Sequence, residues 1–237
     1  MSPKGFTLSE VLITLAIIGI VAAMTLPIII KKYQHKVLEI QFKKAYTAIL
    51  QAVYELPTEF TSCPSSAKTE IKDILFTKLN AVETGTYESL NYEFKTYNKQ
   101  DTNVTIHSNC LDDIKNSFSP EWGIMPDGTV IAVCTNESYG TMISIDINGR
   151  KKTPNAFGHD LFFFHLTLDD CLPEPMEGQW RTCVDTDTTC DGGHFKWTTG
   201  ICSKDSDSTE NGFACTSYAI SNICPDDSGK KYFECLP

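Results

Sequence analysis

The stretch FTLSEVLITLAIIGIVAAMTLPIII, Phe6–Ile30, holds 25 residues and a single charge, Glu10. As a helix rising about 1.5 Å per residue it spans roughly 37 Å, enough to cross a bilayer with some tilt. No second stretch of this kind occurs, and the next most apolar run, Leu161–Leu168, has the length of a strand. A secretory peptide would end its apolar region after about 7–15 residues at a small-x-small cleavage site. Here Val21-Ala22-Ala23 is followed by more apolar sequence and by Pro27. A plain anchor leaves Glu10 unexplained, because a carboxylate inside an apolar helix is costly without a partner and is by default functional.

Read with its flank, Lys4-Gly5-Phe6-Thr7-Leu8-Ser9-Glu10-Val11-Leu12-Ile13 strongly resembles the type III signal of type IV prepilins and type II secretion pseudopilins. The resemblance covers about the first 30 residues. It implies a leader, Met1–Gly5, cut by a prepilin peptidase between Gly5 and Phe6, and methylation of the new N-terminus at Phe6. It places Glu10 at the family's glutamate position and Pro27 at a helix kink. The implied chemistry is coherent. A cationic amine on Phe6 and Glu10 of a neighbouring helix are each costly in an apolar environment, and together they neutralise one another. That pairing favours staggered subunits. Transfer of Val11, Leu12, Ile13, Leu15, Ile17 and Ile18 from lipid to a filament core is nearly apolar-to-apolar, so packing and the ion pair must decide assembly. The implied partners are other pilin or pseudopilin subunits, the prepilin peptidase, the inner-membrane assembly platform and, before assembly, the lipid bilayer. The implied location is the bacterial inner membrane, single-pass, with the globular domain outside the cytoplasm and a periplasmic or extracellular filament after assembly.

The charge distribution is bipartite. The 237 residues carry 20 Lys and Arg against 30 Asp and Glu, a net −10. Residues 1–56 hold six Lys and three Glu, whereas the remainder holds 14 basic and 27 acidic groups, net −13. A broad basic face for nucleic acid is therefore not expected. A mean hydropathy of −0.17 excludes a polytopic membrane protein. One rule points the other way: Lys31, Lys32, Lys36, Lys43 and Lys44 follow the span and only Lys4 precedes it. Positive-inside bias alone would leave the C-terminal part in the cytoplasm. The processing signal and the ten cysteines outweigh it.

Beyond the span, Leu38, Phe42, Ala45, Ile49, Val53 and Leu56 recur at steps of three or four, one face of an amphipathic helix ended by Pro57. The expectation is one helix from about Phe6 to Leu56. Thr69–Leu79 predicts a second short helix, and Val104–His107 a strand. Gly128–Cys134, Met142–Ile147 and Leu161–Leu168 have β-branched or aromatic interiors bounded by Pro126-Asp127-Gly128, Asn148-Gly149 and Gly158, and predict three strands. The block Asp146-Ile147-Asn148-Gly149, Pro154-Asn155, Gly158-His159-Asp160-Leu161-Phe162 is similar to a segment recurring in pseudopilin-like proteins. The expected fold class is α+β: a long N-terminal helix packed on an antiparallel sheet, with a disulfide-rich C-terminal region. The divisions are leader 1–5, membrane segment 6–30, pilin-like domain 31–168 and cysteine-rich region 169–237.

The cysteines are Cys63, Cys110, Cys134, Cys171, Cys183, Cys190, Cys202, Cys215, Cys224 and Cys235. No pair has C-x-x-C spacing, which disfavours zinc and redox motifs, so in an exported domain they read as disulfide candidates. Three precede residue 170 and seven follow it; if all pair within the chain, at least one bond joins body to tail, with Cys134 the preferred donor. Asp146-x-Asn148-Gly149 and Asp185-x-Asp187 are similar to pieces of calcium loops, and some pseudopilins bind calcium. Neither has the EF-hand order, so an ordinary turn and a solvated acidic loop are preferred, no cofactor is expected and calcium is kept as an alternative. His35, His107, His159, His165 and His194 are scattered, and no G-x-S-x-G, H-E-x-x-H or P-loop pattern occurs. The tail aromatics Trp180, Phe195, Trp197, Phe213, Tyr218, Tyr232 and Phe233 fill a small core or, alternatively, form an adhesive surface. The resulting expectation is a non-enzymatic subunit of a type IV pilus or type II secretion pseudopilus. Its alternatives are a minor or tip subunit with a binding tail and an uncleaved signal-anchored periplasmic protein.

Overall fold

A computed structural model describes residues 5, 7–54, 70–86, 93–98, 104–105, 121–136, 140–149, 151–166, 173–175, 180–182, 195–197, 201–208 and 211–237. Helix α1, Leu8–Tyr54, is one helix of 47 residues and carries Pro27 inside it. Proline has no N–H to give the preceding turn, so one backbone bond is missing there. The two halves of α1 differ in what surrounds them. Leu12, Ile13, Leu15, Ile17, Ile18 and Ile20 are all more than half exposed. On the second half, Leu38, Phe42, Ala45, Ile49, Ala52 and Val53 are buried, as the three-and-four spacing requires. Leu56 and Pro57 lie outside the described residues. Helix α2, Glu70–Lys78, buries Ile71, Leu75 and Phe76 in the same cluster.

The sheet on which α1 packs is antiparallel, as expected, and has six strands, the three predicted ones among them. Its strands are β1 (Glu83–Thr86), β4 (Glu121–Ile124), β5 (Val130–Asn136), β6 (Gly140–Asp146), β7 (Leu161–Leu166) and β8 (Pro173–Pro175), hydrogen-bonded in the order β1-β4-β5-β6-β7-β8. Two short pairs lie apart from it: β2 (Glu93–Phe94) with β3 (Val104–Thr105), and β9 (Trp180–Thr182) with β10 (Phe195–Trp197). The strand expected at Val104–His107 is thus described only for its first two residues. β5, β6 and β7 begin or end within a few residues of the expected bounds. In the β5–β6 ladder Val130 faces Asp146 and Asn136 faces Gly140; in β6–β7 Ser144 faces Phe163.

Every residue of β7 is buried, which requires cover on both faces of the sheet. One face meets α1: the ring of Phe42 lies 4.4 Å from Phe162, and Tyr46 lies 5.6 Å from Phe164. The alternate residue Phe163 meets Phe213 at 4.6 Å and Phe157 at 5.5 Å. β8 stops at Pro175, opposite Phe164, so the next backbone donor on that side, Phe163 N–H, goes instead to Thr216 Oγ1 at 3.0 Å. Thr216 belongs to helix α3, Cys215–Ser221.

The tail therefore shares the main core. Cys215, Ala219, Tyr232, Phe233 and Leu236 join Phe42, Ile49, Phe162 and Phe164 in one hydrophobic cluster. A 3₁₀ turn, Tyr232–Glu234, brings Phe233 to 5.7 Å from Phe42. Disulfides Cys202–Cys215 and Cys224–Cys235 fasten the segments flanking α3. Of the tail aromatics, Phe213, Tyr232 and Phe233 are buried; the side chains of Trp180, Phe195 and Trp197 lie outside the described residues. The architecture is α+β, with a long N-terminal helix, an antiparallel sheet and disulfides in the C-terminal region.

Candidate functional site

The first turn of α1 is built by a reciprocal cap. Thr7 N–H donates to Glu10 Oε2 at 2.8 Å, Thr7 Oγ1–H donates to the same oxygen at 2.8 Å, and Glu10 N–H returns a bond to Thr7 Oγ1 at 3.3 Å. This is the capping box, in which two helix-end donors without helical partners are satisfied by a threonine and a glutamate three residues apart. Thr7-Leu8-Ser9-Glu10 before an apolar run is its sequence signature, and Thr7 is a capping residue that the charge-based reading of Glu10 passes over. All three bonds leave Glu10 Oε1 unused, so the carboxylate can hold its own helix end and still offer one oxygen to a neighbour.

Gly5 is exposed, and a Cβ built on it would meet nothing within 4 Å. It lies outside the helix, before the cap. Phe6 lies outside the described residues. Pro27 sits within the exposed apolar half of α1. An 18-residue window of this helix has a mean hydropathy of 2.6 and no part of it is buried, so length and composition allow it to cross a bilayer.

The second constellation is the recurrent-motif loop between β6 and β7. Asp146 Oδ1 accepts from Asn148 N–H at 3.2 Å and Gly149 N–H at 2.8 Å, which closes an ordinary Asx turn with Gly149 at φ +84°. Asp160 accepts from Asn155 N–H at 2.8 Å and Ala156 N–H at 2.7 Å, one on each oxygen. Both carboxylates are buried. Burial and the neighbouring Asp146 charge push the Asp160 carboxyl up to about 7, against the backbone donors and Asn148 amide that favour its ionised form. His159 Nε2 bonds the Tyr97 carbonyl at 2.8 Å, and Tyr232 donates to the Gly158 carbonyl at 2.6 Å. The loop is thus a structural clasp joining the 93–98 segment, the sheet and the tail. His165 is buried in β7. Among the described residues no group of three or more His, Cys, Asp or Glu side chains is arranged to hold a metal ion. Asp185-x-Asp187, His107 and His194 lie outside the described residues, as do Cys63, Cys110, Cys171, Cys183, Cys190 and the side chain of Cys134.

Comparison with known proteins adds one finding. Residues 1–26 match the family model described as "Prokaryotic N-terminal methylation motif", so the N-terminus carries the prepilin-type cleavage and methylation signal. No curated protein and no solved structure matched the chain.

Proposed function

From a chain whose N-terminus is a prepilin-type signal, we propose a structural, non-enzymatic subunit of a type IV pilus or type II secretion pseudopilus. The observation that carries this reading is one continuous helix with two environments: a capped, apolar, uncovered half directly behind the signal, and a half packed into a folded domain. The signal and the apolar helix are consistent with a single-pass inner-membrane anchor. Prepilin peptidase cuts Gly5–Phe6, Phe6 is methylated, and the helix moves from the bilayer into a bundle of its own kind through the assembly platform. There Glu10 receives the amine of a neighbouring Phe6, its charge offset at the moment both leave the headgroup region. The domain stands outside the cytoplasm, where disulfides persist.

The tail enters as part of the body: Phe213, Tyr232 and Phe233 are buried, which favours a packing role for these three over an adhesive one. N-terminal sequencing with mass spectrometry of sheared filaments tests the proposal. A chain beginning at N-methyl-Phe6 and present in filaments supports it; an intact Met1 on a chain that never leaves the membrane fraction overturns it.

A further inference from the structure

The lysines that contradict the positive-inside rule are not isolated. Two clefts flank α1 just past Ile30 and share His35. The first, about 550 Å³, is lined by Tyr33, His35, Leu38, Lys95, Lys152 and His159 among others. The second, about 490 Å³, is lined by Lys32, Lys36, Glu39, Lys230, Phe233 and Glu234 around the same His35. Five lysines thus converge from four separate stretches of chain, although residues 57–237 are strongly acidic. Among the described residues no carboxylate lines the first cleft. In the second, Glu39 is held by Lys36 and Lys43, and Glu234 stands 4.0 Å from Lys231. Lys230 also meets Asp227 at 2.9 Å.

The height of Lys32 and Lys36 is fixed by α1, and the other three lysines line the clefts beside that turn. At about 1.5 Å per residue, Lys32–Lys36 lie some 3–9 Å past Ile30, the depth of the headgroup layer, which adds roughly 5–7 Å to each side of the hydrocarbon core. Tyr33, 70% exposed, has the amphipathic ring suited to that layer.

We propose that the foot of the domain is a docking surface for anionic phospholipid headgroups, with Lys32, Lys36, Lys95, Lys152 and Lys230 meeting the phosphodiesters of the leaflet from which the domain emerges. The partner follows from charge and place: five lysines, two of them (Lys36 and Lys230) sharing their charge with Glu39 and Asp227, gather beside the α1 turn at headgroup depth, beneath a negative domain, and face a negative sheet of phosphates. A lysine near an anionic surface is worth about fivefold in association (about 1 kcal/mol). The domain is thereby held upright on the membrane until assembly lifts it off. This rests on Leu8–Ile30 spanning a bilayer and not on the filament reading.

The test places the full chain in nanodiscs of phosphatidylcholine alone or with one-third phosphatidylglycerol, and follows amide hydrogen exchange in peptides containing Lys95 and Lys152. Exchange is expected to slow several-fold in the anionic discs and to return to the neutral-disc rate in 0.5 M salt. The double variant Lys95→Glu/Lys152→Glu should lose the protection, and Lys95→Arg/Lys152→Arg should keep it. Equal exchange in both discs overturns the proposal. Equal slowing by inorganic phosphate with neutral discs also overturns it, by assigning the clefts to a free anion. A chain that does not enter discs at all overturns the membrane span as well.

Discussion

Tyr232 donates its hydroxyl to the Gly158 carbonyl at 2.6 Å, and both partners are buried. This one bond closes the tail over the loop that joins β6 to β7. Tyr232→Phe would keep the ring packing against Phe233, 5.0 Å away, and leave a buried carbonyl without its donor. The expected loss is about 1–3 kcal/mol of unfolding free energy. Urea denaturation of the full chain in detergent checks it; an unchanged midpoint would show that water takes the place of the hydroxyl.

Gly158 has φ +71°, and a Cβ there would sit 2.7 Å from both Cys215 Cβ and the Tyr232 hydroxyl. Gly128 has φ +90° and open space around it. Alanine at either position meets the same left-handed strain, about 1 kcal/mol or more. Gly158→Ala should therefore destabilise by clearly more than Gly128→Ala, the difference reporting the collision alone. Equal losses would place no weight on the contact with Cys215.

Burial and Asp146 raise the Asp160 carboxyl to about 7. An acid whose folded pKa lies above its unfolded value binds its proton more tightly when folded, so it opposes folding at high pH. Stability should thus rise as pH falls from about 7.5 towards about 5. Glu39, held by Lys36 and Lys43, has a lowered carboxyl pKa and acts in the opposite sense at lower pH. Asp146→Asn keeps an oxygen for Asn148 and Gly149 N–H and removes the repelling charge. Unfolding free energies measured across this range should show a shallower slope in the variant; an identical slope would remove Asp146 as the cause.

Gly5→Leu and changes at Glu10 separate processing from assembly. Because nothing crowds Gly5, leucine there should leave the fold intact and the leader attached, read as an uncut N-terminus by mass spectrometry. Glu10→Leu removes both charge and cap, whereas Glu10→Gln retains an oxygen for Thr7 N–H and loses only the charge. Incorporation into filaments should fall sharply for both while membrane insertion is maintained. Wild-type occupancy of the glutamine variant would assign the role of Glu10 to capping and sink the ion pair.

Cys202–Cys215 and Cys224–Cys235 use four of the seven tail cysteines. Three remain in the tail (Cys171, Cys183, Cys190) and three in the body (Cys63, Cys110, Cys134), both odd. Full intrachain pairing then requires a body-to-tail bond. Non-reducing peptide mapping should recover one, and a free thiol on each side in its place would refute the pairing.

The parts of this fold that were legible are those whose signal is local. The span and packed half of α1 show as an apolar run followed by helical periodicity, and β5, β6 and β7 show as β-branched or aromatic runs between turn residues. β1, Glu83-Thr84-Gly85-Thr86, lies at the sheet edge and has no apolar residue to announce it. In β4, Gly123 weakens the pattern because the space for a side chain is taken by Phe76, 2.9 Å from where its Cβ would stand. The tail reads from composition as loops braced by disulfides, yet its aromatics and Thr216 complete the cover of β7. That depends on which surface they meet, information that no window of neighbouring residues contains. At the N-terminus the opposite holds: Gly5, Thr7 and Glu10 act through spacings of a few residues, so the signal and its cap are both readable in the chain.

Phe42 completes its packing against Phe233, about 190 residues further along the chain. At the ~5–20 residues per second of synthesis, roughly 10–40 s separate the emergence of one ring from that of the other. Throughout that interval the apolar face of α1 from Leu38 to Val53 lacks part of its native cover, directly behind a segment apolar enough to cross a membrane. Maturation of this chain is thus a race between late-arriving sequence and premature burial in the wrong medium, and the exposed lysines on the other side of the same helix, Lys36, Lys43 and Lys44, favour the water side while it runs.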